Sequence, residues 1–460
     1  MAASKNNPRL PPGSTDIFNM AEEAQVGTLT QSRLLLKHET DSDTDYTLAN
    51  PDTLTKYKTA AQISNKVLED VKKLCTEGAK ILEICQKGDK MLEDEVAKVY
   101  KGKKIIKGIS HPCTVSPSTY VTPYTPLVSD NEEAQTTLKA QEAIKIQLGA
   151  QIDGFGTIAC DTIFVGSKEV TGRAADLALA THYANELLLR MMMPPGMLAT
   201  GSEEEKKKAQ AQKPYSQTKI TQLLEKLVKT YDCNLIENTT CWLFGRNEIE
   251  DKKKIILAPG EGVKGEGLAE VGEVWGVEMG VSTGSGKVKT LPNRATLHRR
   301  TNTTYSLKRQ SSRQTLSEVQ KKFGTFPFSL RQLDDERAGK VGIVECVRGG
   351  VVRQYEVIGS TDNEPVDRLL TTIAITKNGL QKLSGPPQPN LEMFKSDKKI
   401  TDEEILKILE QPLAKPSSSK PKKNNKKKKS KSAKKAAAAA AKPAQGEEEE
   451  SSEEEDSDDE

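Results

Sequence analysis

The chain has 460 residues, 35% hydrophobic and 29% charged, with a formal net charge of only +3. That length gives ample core for one large domain or two average ones. It contains no run of about eighteen apolar residues, and MAASKNNPRLPPGST at the N-terminus has no apolar stretch, so neither a membrane span nor a secretory signal is expected. Seven cysteines are scattered without a CxxC pair, which suits reduced thiols in or near the core of an intracellular protein.

Residues 1–47 are polar, with Pro8, Pro11 and Pro12 early and HETDSDTDY late, and read as disordered. LTKYKTAAQISNKVLEDVKKL then spaces Tyr57, Ala60, Val67, Leu68, Val71 and Leu74 for an amphipathic helix, with Ile63 slightly off the stripe. TEGAKILEICQKGDKMLEDEVAKVY predicts a short linker and a second helix broken near Gly88. Strands are predicted at 142–148 paired with 157–165, and at 273–282, 341–347, 351–358 and 369–376. Between the first two, Asp153 before Gly154 is a turn residue. ADLALATHYANELLLRMMM is apolar nearly all round and predicts a buried helix, and KITQLLEKLVKTY an amphipathic one. Residues 202–216 between them are expected to form a mobile charged loop. Thr401 and Glu404 make a capping box for a short final helix. Together these elements predict an α+β chain with two similar halves.

Beyond Pro412 the charge separates. Twelve lysines and no acid occupy 415–442, including Lys426, Lys427, Lys428 and Lys429, and acids fill 447–460. This tail has too little apolar bulk to offset the entropy of ordering. Its lysine block suits non-specific nucleic-acid binding or a nuclear address, and its acidic end suits competition with nucleic acid. No G-x-S-x-G elbow is present, and VSTGSGK (281–287) lacks phosphate-loop spacing and reads as a β-turn.

KIQLGAQIDGFGTIACDTIFVG is similar to the paired strands of methionine aminopeptidases. LCTEGAKILEICQKGD, EVWGVEMGVSTGSGK, and SEVQKKFGTFPFSLRQLDDE with GIVECV resemble a non-catalytic branch of that superfamily. That branch is the proliferation-associated, receptor-binding-protein family, which includes the fungal curved-DNA-binding proteins. The resemblance spans about 48–408 and implies the pita-bread fold of creatinases and aminopeptidases, two pseudo-symmetric α/β halves around a cleft. The expected organisation is a disordered 1–47, a folded domain 48–410 with a type II aminopeptidase-like basic insertion at 287–335, and a disordered tail 411–460.

Active members of the superfamily hold two divalent ions in a cage of carboxylates and imidazole, which activates the attacking water. The resemblance places the two strand aspartates at Gln147 and Ile158, the metal-binding histidine at Trp242, and the glutamates at Glu278 and Leu370. The substrate-contacting histidine falls on Pro123. Of the five ligand positions only Glu278 keeps a carboxylate, so no metal, cofactor or catalytic residue is expected. A hydrogen bond to Gln147 or a backbone amide is expected for Glu278. Asp161, three residues past Ile158, belongs on the opposite strand face. His111, His182 and His298 lie outside the matching motifs.

Function is then expected on surfaces. The insertion carries Lys287, Lys289, Arg294, Arg299, Arg300, Lys308, Arg309, Arg313, Lys321 and Lys322, suited to phosphate contact, and Tyr305 offers a stacking surface. The resemblance implies binding to structured RNA and the large ribosomal subunit or its precursors, a role in ribosome biogenesis and growth regulation, and shuttling among nucleolus, nucleus and cytoplasm. A monomer without membrane contact is expected. The alternatives are a curved-DNA-binding nuclear protein of the same fold and a diverged metallo-aminopeptidase.

Overall fold

The computed structural model describes residues 45–415. The expectations for 1–44 and 416–460, including Lys426, Lys427, Lys428 and Lys429, lie outside the described residues. The first half opens with helices α1 (Pro51–Leu74) and α2 (Ile81–Lys98). Asn50 caps α1 by accepting from the Asp52 amide, and Pro51 stands at the first helical position, where no amide hydrogen is needed. The predicted stripe is buried against the sheet, Ile63 included, except for Leu74 at the end of the helix, which is half-buried.

The predicted break at Gly88 does not occur. α2 runs through it, and Gly88 lies where the helix meets strand β1 (Lys107–Ser116). A Cβ there would stand 2.4 Å from Cys113 Sγ. The glycine therefore serves close packing rather than a bend. Gly88→Ala should cost about 1–3 kcal/mol in urea unfolding despite alanine's better helix propensity. An unchanged or higher midpoint would show that the contact relaxes freely.

A short α3 (Asn131–Ala134) precedes the hairpin β2 (Ala143–Ile152) and β3 (Phe155–Phe164). Asp153 and Gly154 both take positive φ, 56° and 81°, as a two-residue hairpin turn requires. Lys56 and Arg246 hold the Asp153 carboxylate. The second half begins with β4 (Val170–Thr171) and the buried α4 (Gly172–Met191). The expected charged loop contains a helix, α5 (Glu203–Gln210), capped reciprocally by Ser202 and Glu205. Then come α6 (Gln217–Thr230), β5 (Asn234–Leu235), β6 (Thr240–Phe244), β7 (Lys254–Ile256) and β8 (Val274–Ser282).

The insertion contains β9 (Val288–Thr290), β10 (Leu297–Arg300), α7 (Gln310–Lys322) and β11 (Phe328–Ser329), and α8 (Glu336–Arg348) and β12 (Val352–Gln354) follow and pack with it. The strand predicted at 341–347 is helix α8. Its β-branched run misleads; Asp335 caps the helix through the Arg337 and Ala338 amides, and Gly342 lets it approach Thr315 of α7. Arg331, buried, ties this region to the first half by donating to Asp89 (2.6 Å), Thr125 (2.8 Å) and the Cys113 carbonyl (2.9 Å). The chain closes with β13 (Ile358–Ser360), β14 (Val366–Thr376), β15 (Gly379–Ser384), β16 (Phe394–Lys395) and α9 (Glu403–Leu409). Asp402, rather than Thr401, caps α9.

Nine strands form one sheet in the order β1-β2-β3-β14-β8-β6-β7, with β15 added to β14 and β5 to β8. α1 and α2 cover the first three strands, and α4 covers β8 and β14 with α6 packed on it. β14 joins the two halves. Its side chains alternate between the helices, as with Ile373 and Ile375, and the other sheet face, as with Arg368 and Leu370. All seven cysteines are free and buried. No helix among the described residues is long and apolar enough to cross a membrane.

Candidate functional site: a cleft closed by a guanidinium

The cleft follows from strand register. Gln147 pairs with Cys160, Cys160 with Leu370, and Leu370 with Glu278, so one row of side chains crosses β2, β3, β14 and β8. Ile158 lies two residues along β3 on the same face, and Trp242 lies on β6 opposite Gly276 of β8. Gln147, Ile158, Trp242, Glu278 and Leu370, with Pro123, line one cavity of about 560 Å3. Asp161 is absent from it and pairs with Lys72 of α1.

The sequence reading missed two residues in this cleft. His111 of β1, set outside the motifs above, faces Gln147; the other is Arg368 of β14. Arg368 donates from Nε to Glu278 Oε1 (2.8 Å) and from Nη2 to both Glu278 and Gln147 Oε1 (3.1 Å). The partner of Glu278 is thus this guanidinium, not the expected Gln147 or backbone amide. The signal was a lone arginine in VDRLLTTIAIT, a strand otherwise apolar enough to be buried.

The polar atoms form a directed chain. Gln147 Oε1 accepts from Arg368, so its Nε2 donates to His111 Nε2 at 3.1 Å. His111 Nδ1–H in turn donates to the Pro112 carbonyl at 2.8 Å. Burial pushes the imidazole down to about 4, the Pro112 carbonyl opposing and Arg368 adding to the shift, so His111 is neutral at physiological pH. A glutamine fits between an arginine and a neutral histidine because it offers one acceptor and one donor side.

This arrangement does not fit a pair of divalent ions. Ile158, Trp242 and Leu370 present no ligand atom, Gln147 presents an uncharged amide, and Glu278 is already neutralised by Arg368. A buried cation beside the row would also repel an incoming one. Among the described residues no group of three or more His, Cys, Asp or Glu side chains could hold a metal. The VSTGSGK segment is not the expected β-turn: Val281 and Ser282 end β8 and a bend at 283–284 leads into irregular chain, in which Asp362 accepts from the Ser285 amide (2.7 Å). A Cβ on its Gly284 would lie 2.5 Å from the Asp362 carboxylate, an environment hostile to phosphate.

The basic residues of the insertion divide by burial. Arg299 is buried, donating to Glu248, Glu250 and the Thr325 carbonyl, which removes it from the expected phosphate-contact surface. Glu250, on the cleft rim, also accepts from Arg353 and Tyr355. Arg300 is half-buried, Lys287 pairs with Glu237, and Lys322 pairs with Glu318 and Asp334. Lys289 is held by the Thr361 carbonyl and Asn363, and Arg313 by the carbonyls of Leu307 and Lys308. Arg294, Lys308, Arg309 and Lys321 are exposed, and their side chains form no ion pair among the described residues. Tyr305 is also exposed.

Comparison with known proteins agrees with this architecture. The model of metallopeptidase family M24 matches residues 55–290. The curved DNA-binding protein of Schizosaccharomyces pombe is 37% identical over 373 residues, covering 80% of this chain and 92% of that protein. Proliferation-associated protein A of Dictyostelium discoideum is 32% identical, covering 80% and 90%. A solved structure described as a thermophilic Arx1 is 67% identical and covers 80% of this chain and all of that one, with a TM-score of 0.79. With its pita-bread sheet, the chain belongs to metallopeptidase family M24, in the branch of the proliferation-associated and curved-DNA-binding proteins.

Proposed function

We propose that this protein is a catalytically inactive, methionine-aminopeptidase-like factor that binds RNA on the large ribosomal subunit or its precursors. The observation that carries the inactive half is Arg368, whose guanidinium is bonded to the one surviving ligand carboxylate. A cleft so arranged cannot lower the pKa of an attacking water by metal coordination. The binding half is supported by the exposed Arg294, Lys308, Arg309 and Lys321, which are free to meet phosphates. The family resemblance supplies the ribosome as the setting and the nucleolus, nucleus and cytoplasm as the expected locations. The name of the S. pombe relative, a curved DNA-binding protein, favours DNA as a second reading. Phosphate contact of this kind would serve either polymer.

Sedimentation of the native protein on sucrose gradients, with and without ribonuclease, tests this reading. Co-sedimentation with large subunits at physiological salt, lost on nuclease treatment, is the expected result. Absence from those fractions, with retention on curved DNA, would replace RNA by DNA. Replacing Arg294, Lys308, Arg309 and Lys321 together by glutamate should weaken the association by roughly tenfold or more, since several phosphate contacts go at once. If only removal of the lysine-rich 416–442 weakens it, the insertion is not the contact surface.

A further inference from the structure

The cleft that lacks a metal cage still has the size and lining of a binding site, which runs to about 300–1,000 Å3 in small-ligand pockets. Its floor is apolar, formed by Ile158, Trp242, Phe244 and Leu370, and Trp242 is only half-buried. Four acids and two arginines also line it. Both arginines are committed, Arg368 to Glu278 and Arg353 to Glu250. Among the described residues, the Glu237 carboxylate meets only the exposed Lys287, and that of Glu356 only the Gln354 amide. An apolar floor under a rim with acidic groups to spare favours an apolar segment flanked by cations, and disfavours phosphate.

The chain supplies such a segment close by. Residues 33–37 read RLLLK, three leucines between Arg33 and Lys37. The described chain begins at Asp45, and Tyr46 lies under Arg246 (4.1 Å to the ring centroid) and against Phe155 (6.3 Å). Arg246 follows β6, between Phe244 and Ile249, both of which line the cleft. The chain therefore enters the fold beside the cleft rim. The nine steps from Leu36 to Asp45 reach about 30 Å when extended and roughly 15–18 Å on average as a flexible tether. A tether of that length holds the segment at a local concentration of about a millimolar or more, so even a weak intrinsic preference fills the site.

We infer that residues 33–37 of the same chain occupy the cleft as an intramolecular plug. The leucines pack on Ile158, Trp242, Phe244 and Leu370, and Arg33 and Lys37 meet the carboxylates of Glu237 and Glu356. The inference rests on the metal-free cleft of the proposed function and uses none of the residues assigned to nucleic acid.

The chain's two tryptophans report on it, because Trp275 is fully buried whereas Trp242 lines the cleft. Fluorine NMR of the full-length protein labelled with 5-fluorotryptophan gives one resonance for each, assigned with Trp242→Phe. All samples contain EDTA, which separates the outcome from that of the metal titration. Leu34→Ser, Leu35→Ser and Leu36→Ser together should shift the Trp242 resonance and leave that of Trp275 in place. A peptide of residues 31–40 should bind this variant saturably and return the Trp242 resonance to its native position. It should bind the native protein about tenfold more weakly, because the tethered segment competes. Glu356→Lys in the triple-serine background should weaken the peptide by about three- to fivefold, the effect of an exposed charge pair. An unmoved Trp242 resonance in the triple-serine variant, or equal peptide affinity for variant and native protein, would overturn the inference. A resonance position that depends on protein concentration would assign the plug to a second copy and also overturn it. So would a shift produced instead by Ile17→Ser, Phe18→Ser and Met20→Ser, which would give the cleft to that earlier apolar stretch.

Discussion

Replacing Arg368 by leucine should destabilise the protein by about 3 kcal/mol, measured as a lower midpoint of urea unfolding. The Arg368 side chain is 4% exposed and its partner Glu278 24%. Removing the cation leaves a largely buried carboxylate uncompensated, and it strips Gln147 Oε1 of its donor. Because Glu278 retains some solvent, the loss belongs at the lower end of the 3–5 kcal/mol typical of broken buried pairs. The double variant Arg368→Leu, Glu278→Leu should recover most of it, because replacing both charges removes the uncompensated one. A single variant as stable as the native protein would mean that the guanidinium is ornamental and that Glu278 finds water.

The second large effect concerns metal. Restoring the ligand set with Gln147→Asp, Ile158→Asp, Trp242→His and Leu370→Glu should not create manganese or cobalt binding while Arg368 remains. The guanidinium would pair with the new carboxylates and repel the ions. Adding Arg368→Thr should then allow binding at micromolar metal, read by calorimetry with metal analysis of the dialysed protein. Equal binding with and without Arg368 would show that lost ligands alone silenced the site, and that the arginine followed as a passive replacement.

Much of this architecture was legible in the chain. The stripe of α1, the apolar α4 and the QIDGFG turn each follow from local periodicity or turn chemistry, and the fold places them as expected. The six positions came from the resemblance, and strand register brings five of them into one cleft, with Pro123 lining it from a loop. Less visible were the residues that surround the altered ligand positions. Arg368 and His111 have no local pattern; their roles depend on which strands become neighbours and which face each residue takes. Arg299 illustrates the converse, because a basic loop looks solvated until Glu248 and Glu250, some fifty residues upstream, are placed beside it. The 341–347 run reads as a strand yet forms α8, because a short stretch rich in valine and isoleucine carries no decisive period.

On the proposed reading, a guanidinium has taken the electrostatic place of two metal ions. The most direct measurement is a paired assay of the purified native protein: calorimetric titration with manganese and cobalt, and hydrolysis of Met-Ala-Ser in the same metal-supplemented buffer beside an active methionine aminopeptidase. No stoichiometric metal binding attributable to the cleft and no peptide hydrolysis above buffer are expected. Tight binding of one or two ions, lost on Glu278→Gln and accompanied by release of methionine, would contradict it.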